Sequence, residues 1–179
     1  MPIGKAFHPS SNFTVIEWQQ IQTARKTEVA RANDIPQPTR DHILALECPA
    51  FPDTPWVAAK PLRECRVAIL TTAALHQKSE ASFPTGTAEY RQLPATLTDP
   101  AISHISINFD RSGMQRDINV AFPIDRLREL AADGVVGNVA DTHYSTMGST
   151  DPMLMSETAD SIVAHLKAQQ VDALLLVPV

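Results

Sequence analysis

Three histidines stand where a catalytic imidazole would be useful. His76, His104 and His143 each lie in a loop or close to an expected strand end. An imidazole changes charge near neutral pH, so it can move a proton or donate a hydrogen bond to a carboxylate. Imidazoles also suit zinc, iron or copper. No histidine pair has ligand spacing on one helix, however, and neither HxH nor HExxH occurs. Proton transfer or hydrogen bonding to a carboxylate is therefore a stronger reading than metal binding, with satisfied structural histidines the other reading. His42 and His165 fall on expected helices and His8 in a tail, with no role assigned. Asp110, Asp117 and Asp125 gather with Asn119 around expected strand ends. A turn suits Asp110 and a helix start suits Asp125, so structural roles account for much of that cluster. Thr71 and Thr72 put hydroxyls at the carboxyl end of a strand, where open α/β sheets bind ligands. No nucleophile announces itself: GxSxG, GxGxxG and the phosphate-binding GKS or GKT are all missing. Cys48 and Cys65 match neither a zinc nor a CxxC spacing, which leaves them structural.

The elements that must position these groups follow from hydrophobic period and punctuation. An N-terminal tail leads to an expected helix over residues 12–33, ended by Pro36 and Pro38. A short helix is expected over 40–46, and a strap with four prolines and Trp56 runs to residue 61. Residues 66–73 (RVAILTTA) form the first strand, continuously apolar from Val67 to Leu70 as in a strand covered on both faces. Residues 79–100 read as a long irregular connection, a lid or a surface insertion. Strands are expected over 101–109 and 117–122, then a helix over 124–133 opened by Pro123 and closed by Gly134. A short strand over 135–139 precedes a polar loop at 141–148. Asp151 and Pro152 open the last helix, with Leu154, Ile162 and Leu166 facing inward. The apolar run 173–179 reads as a buried terminal strand. Helices alternating with strands predict an α/β fold with a mostly parallel sheet flanked by helices and an N-terminal helical arm. The expected division is an arm and strap over 1–60 and an α/β domain over 61–179.

Composition narrows the partners. The 179 residues are 44% apolar and 20% charged, with a net charge of −5 from 15 basic and 20 acidic side chains. No basic patch marks a nucleic-acid or anionic-membrane surface. No apolar run approaches the roughly 20 residues of a membrane helix, and no signal pattern opens the chain. A cytoplasmic protein is expected, and the arm makes a homodimer plausible.

Four blocks together resemble one family. They are residues 67–76 (VAILTTAALH), 117–127 (DINVAFPIDRL), 142–148 (THYSTMG) and 171–179 (VDALLLVPV), with Ser103-His104 and Phe109-Asp110 adding to them. They resemble the selenoprotein B subunits of the glycine, sarcosine, betaine and D-proline reductases, over roughly residues 55–179. The resemblance implies reductive cleavage of a carbon–nitrogen bond in an amino acid or related amine. It implies a selenol or thiol nucleophile regenerated by a dithiol or thioredoxin-type reductant. It also implies a partner reductase subunit carrying an amine-activating pyruvoyl group. In the family, the selenocysteine or cysteine comes immediately after the segment matching Val177-Pro178-Val179. Neither Cys48 nor Cys65 is at that position.

The expectation is therefore that Val179 precedes a selenocysteine, encoded by UGA, and that the chain is a prematurely terminated, inactive form. The candidate catalytic residues are Thr72, His104 and His143. The candidate substrate-binding residues are Thr71, His76, Asp110, Asn119 and Tyr144, with no metal. A nonredox racemase- or lyase-like enzyme using histidine and aspartate, and a noncatalytic binding subunit, are the other readings.

Overall fold

The computed structural model describes residues 36–47, 50, 57–104 and 111–179. The chain divides into two units, one ending at Glu47 and one spanning Cys48–Val179. The first contains helix α1 (Gln37–Leu44), whose opening turn is closed by Arg40 N–H on the Pro36 carbonyl at 3.0 Å. The helix starts and stops earlier than expected, because Pro38 fits a first turn, where its missing donor is not needed. The helix expected over 12–33, and with it most of the N-terminal arm, lies outside the described residues.

The second unit is built around β1 (Arg66–Thr71). It is followed by β2 (Leu75–Gln77), β3 (Tyr90–Pro94) and β4 (Pro100–Ile102). Next come the short helix α2 (Ser112–Arg116) and α3 (Ile124–Ala132). Strands β5 (Asn138–Val139) and β6 (Thr142–Thr146), helix α4 (Ser156–Ala168) and strand β7 (Ala173–Val177) complete it. Strand β1 pairs in parallel with β7 on one side and with β5 and β6 on the other. β3 adds antiparallel to β6, and β2 and β4 form a separate antiparallel pair. The expected mostly parallel α/β sheet is present.

Period-two alternation explains why β1 is central. Val67 and Ile69 point into one cluster with Leu93, Phe122, Ile124 and Leu127, which packs α3 on that face. Ala68 faces the other way, toward Tyr144, Ile162 and Leu166, which packs α4. Buried on both faces, β1 is continuously apolar from Val67 to Leu70.

Several local expectations fail for identifiable reasons. Residues 141–148 are not a loop: β6 runs through the core, with His143, Tyr144 and Ser145 fully buried. His143 Nδ1 and Ser145 Oγ accept backbone N–H groups there, so polarity misled the reading. Residues 117–122 are not a strand but contain a 3-10 turn over Ile118–Val120. Asp117 accepts from the Asn119 backbone N–H at 2.9 Å, a local bond that competes with a ladder. Residues 79–100 are not irregular throughout, since they include β3 and the start of β4. Asp151 caps a 3-10 turn over Pro152–Leu154 rather than the last helix, and Leu154 is 58% exposed. The terminal strand is an edge strand: Leu175 and Leu176 are 41% and 62% exposed.

Candidate functional site

The end of β1 meets the end of β7. The Thr72 N–H donates to the Val177 carbonyl at 3.2 Å, which extends the parallel ladder one residue past β1. Pro178 then has no N–H to continue it. The Thr72 side chain takes over: its Oγ1 accepts from Val179 N–H at 2.8 Å and donates to the Val179 carbonyl at 3.2 Å. One hydroxyl thus supplies both the donor and the acceptor that a neighbouring backbone would have offered. This fixes the Val179 peptide at the carboxyl edge of the sheet.

Two further groups converge there. An antiparallel bridge between Ala73 and Met147 brings Gly148 against the strand end. A Cβ on Gly148 would lie 2.9 Å from the Thr72 carbonyl, 3.0 Å from His104 Nε2 and 3.0 Å from the Val179 carbonyl. The imidazole of His104, the carbonyl of Thr72 and the main chain of Val179 are therefore gathered around a glycine. His104 is 4% exposed. Burial, helped by the charge of Arg111, holds its pKa below the ordinary 6.5, so the ring is neutral at pH 7. A neutral imidazole in such a place can accept a proton from an acidic neighbour or donate its N–H to an anion.

The other expected site residues are engaged elsewhere. Between β5 and β6 the partner strand bulges. Three steps along β1, from Val67 to Leu70, correspond to five along the partner, from Val139 to Tyr144. The Ile69 N–H thereby loses a backbone acceptor, and His143 Nδ1 replaces it at 3.0 Å. That bond puts the proton on Nε2, which is buried without a hydrogen-bond partner. The ring stands edge to face with Phe122, centroids 5.4 Å apart. Burial pushes the His143 pKa down to about 4. Its geometry is that of a neutral patch in the sheet. Thr71 Oγ1 is buried and accepts from Ala73 N–H at 3.2 Å, turning the chain after β1. Tyr144 lies on the α4 side, its hydroxyl accepting from Gln169 at 2.8 Å.

His76 Nδ1 contacts the Gln77 carbonyl at 2.8 Å and must donate to it; Nε2 then accepts from Ser103 Oγ at 2.6 Å. Asn119 belongs to the start of α3: its amide donates to Asp117 and Asp125, and its oxygen accepts from Asp125 N–H at 3.0 Å. Asp110 lies outside the described residues. Sequence reasoning missed Gly148 and the Val179 main chain as parts of the site. The signal available for Gly148 was its place directly after Met147 in the THYSTMG block.

A cleft of about 620 Å³ lies at the opposite, amino-terminal end of β1, lined by Lys60, Arg63, Arg66, Asn138 and Asp172 among others. Most of its charged groups are already engaged: Lys60 pairs with Asp172 at 2.6 Å, Arg63 with Glu64 at 3.6 Å, and Arg66 donates to the Gln169 carbonyl at 3.0 Å. Open α/β sheets bind ligands at the other edge. Among the described residues, no helix is long and apolar enough to cross a membrane.

Comparison with known proteins gives the class. The family of glycine/sarcosine/betaine reductase selenoprotein B matches residues 47–179, most of the chain. The chain belongs to that family. It is 33% identical over 134 residues to the D-proline reductase subunit gamma of Acetoanaerobium sticklandii, covering 72% of this chain and 54% of that protein. It is 29% identical over 139 residues to the glycine reductase complex component B subunit gamma of Carboxydothermus hydrogenoformans, covering 73% of this chain and 32% of that protein. The chain thus spans about half or less of the length of these relatives. No solved structure matches it.

Proposed function

We propose that this chain is the part of a B-type reductase subunit that presents the redox residue, a selenocysteine or cysteine expected directly after Val179, to an amine or amino-acid substrate. The observation that carries the reading is the clamp on Val179. Thr72 Oγ1 holds both the N–H and the carbonyl of that residue, with His104 Nε2 and Gly148 beside it. The group attached next is thereby set at the carboxyl edge of a parallel sheet. A selenol or thiol there supplies a readily ionised nucleophile for the carbon that loses its amine. Over the whole reaction a C–N bond gives way to C–H and N–H. A dithiol provides the two electrons and two protons and becomes a disulfide.

The chain's own residues have narrower tasks. Thr72 fixes the approach. His104, neutral at pH 7, takes up the proton released on ionisation and returns it to the departing nitrogen. His143 keeps β1 and β6 in register behind the site. The amine-activating pyruvoyl group and the reductant, of thioredoxin type, come from partners. The reaction requires that redox residue.

The test is amine release from glycine, sarcosine, betaine and D-proline with dithiothreitol and the partner subunit. It compares the 179-residue chain with a version continued through a cysteine or selenocysteine. Dithiol-dependent release only from the continued chain supports the proposal. Turnover by the 179-residue chain that survives alkylation of Cys48 and Cys65 refutes it and favours nonredox histidine chemistry.

A further inference from the structure

We infer that Gly148 is a positioning residue for this centre: its missing side chain is what admits the His104 ring to the Val179 peptide. The inference rests on the function just proposed and assigns a residue that the proposal does not require. Three reasons commonly demand a glycine, and two do not apply. Gly148 does not have the left-handed φ that marks Gly86 and Gly134. It is also exposed, so it is not there to fill a tight core. What remains is close approach. Its absent Cβ would meet the Thr72 carbonyl at 2.9 Å, His104 Nε2 at 3.0 Å and the Val179 carbonyl at 3.0 Å. All three belong to the candidate site.

The three neighbours are not equally free to move. The Thr72 carbonyl belongs to a residue whose N–H is tied to Val177, at the end of a strand held on both sides. Val179 is held by two bonds to Thr72 Oγ1. The His104 ring is buried, but it is a side chain and not main chain, so it yields to a small displacement more readily than either carbonyl. A methyl group at position 148 therefore displaces the imidazole and also presses on the clamp, because the Thr72 carbonyl at 2.9 Å and the Val179 carbonyl at 3.0 Å do not turn with the ring. With the ring displaced, a thiol following Val179 loses its proton acceptor, and its ionisation moves to higher pH.

The test uses the chain with a cysteine appended after Val179, alkylated by iodoacetamide across pH and followed at that cysteine by mass spectrometry. The His104 titration is read in parallel by NMR in the 179-residue chain. Gly148→Ala is expected to slow alkylation at pH 7 by roughly tenfold or more, move the profile to higher pH and shift the His104 titration. In a His104→Ala background the same substitution is expected to slow alkylation much less than it does with the ring present, the remainder coming from its contacts with the Thr72 and Val179 carbonyls. If His104→Ala slows alkylation and Gly148→Ala does not, this inference fails while the proposed function stands. If His104→Ala itself has no effect, the proton-transfer part of that function fails and takes the inference with it. Should Gly148→Ala unfold the protein, the double variant decides. Recovery of the fold when the ring is removed supports the inference, and persistent unfolding overturns it.

Discussion

At the scale of single residues, Thr72 and His143 show how one side chain can stand in for missing backbone. Thr72 completes a ladder that Pro178 interrupts, and His143 accepts the Ile69 N–H that a bulge orphans. The consequences differ with burial. Thr72 is half-buried and water can replace its bonds, so Thr72→Val is expected to lower stability by only about 1 kcal/mol. Its larger effect is on order: hydrogen exchange at Val179 N–H should rise sharply in Thr72→Val and stay near wild type in Thr72→Ser. Equal exchange in both variants would remove the clamp. His143 is fully buried. His143→Leu keeps much of the bulk but strands the Ile69 N–H in the core, with an expected loss of about 1–3 kcal/mol. A urea midpoint unchanged by that substitution would show that the bond contributes nothing.

At the scale of elements, the end of α4 carries an uncompensated strain. Gln170 N–H bonds the Lys167 carbonyl and Val171 N–H bonds the Leu166 carbonyl, both at 3.0 Å, which is the Schellman arrangement. Gln170 therefore sits at φ 56°, where glycine is preferred. Gln170→Gly is expected to stabilise the protein by about 0.5–1 kcal/mol, read as a higher calorimetric Tm; a lower Tm would mean that the Gln170 side chain contributes more than the strain. The same element shows what was legible beforehand. Ile162 and Leu166 at helical spacing placed its inner face correctly. The unbroken apolar run of β1 correctly implied a strand covered twice. What could not be read were features settled by partners distant in sequence. His143 and Ser145 made β6 resemble a loop until Ile69 and Leu75 were seen to donate to them at 3.0 and 2.7 Å. Ile118, Val120 and Phe122 alternate like a strand, yet Asp117, Asn119 and Asp125 bond one another into the approach to α3. For the candidate site, Thr72 and His104 were legible as chemistry at strand ends. The role of Gly148 depends on an approach that only coordinates reveal.

At the scale of the whole molecule, these local choices set how stability follows pH. The folded pKa of His143 is pushed down to about 4 from an ordinary 6.5, chiefly by burial. Below pH 6.5 the unfolded chain binds a proton that the folded chain refuses. The stability of the neutral ring is thus fully present above about pH 6.5 and is lost as pH falls toward 4. At about 1.4 kcal/mol per pH unit, the loss over that window is about 3 kcal/mol; His104, also depressed by burial, acts in the same direction. A second group of residues responds lower. Asn119 hydrogen bonds hold Asp117 and Asp125 below the ordinary 3.8, and the Lys60 ammonium does the same for Asp172. Their contribution is present above that value and disappears as pH falls through their folded pKa values. Acid destabilisation should therefore begin well above the carboxylate range, which exposed carboxylates alone would not produce. Urea titrations at pH 7.5, 5.5 and 4.0 check this. Wild type should lose stability between each pair, while His143→Leu, already weaker at pH 7.5, should lose markedly less between 7.5 and 4.0. Parallel losses in the two proteins would place the early pH dependence on some group other than His143.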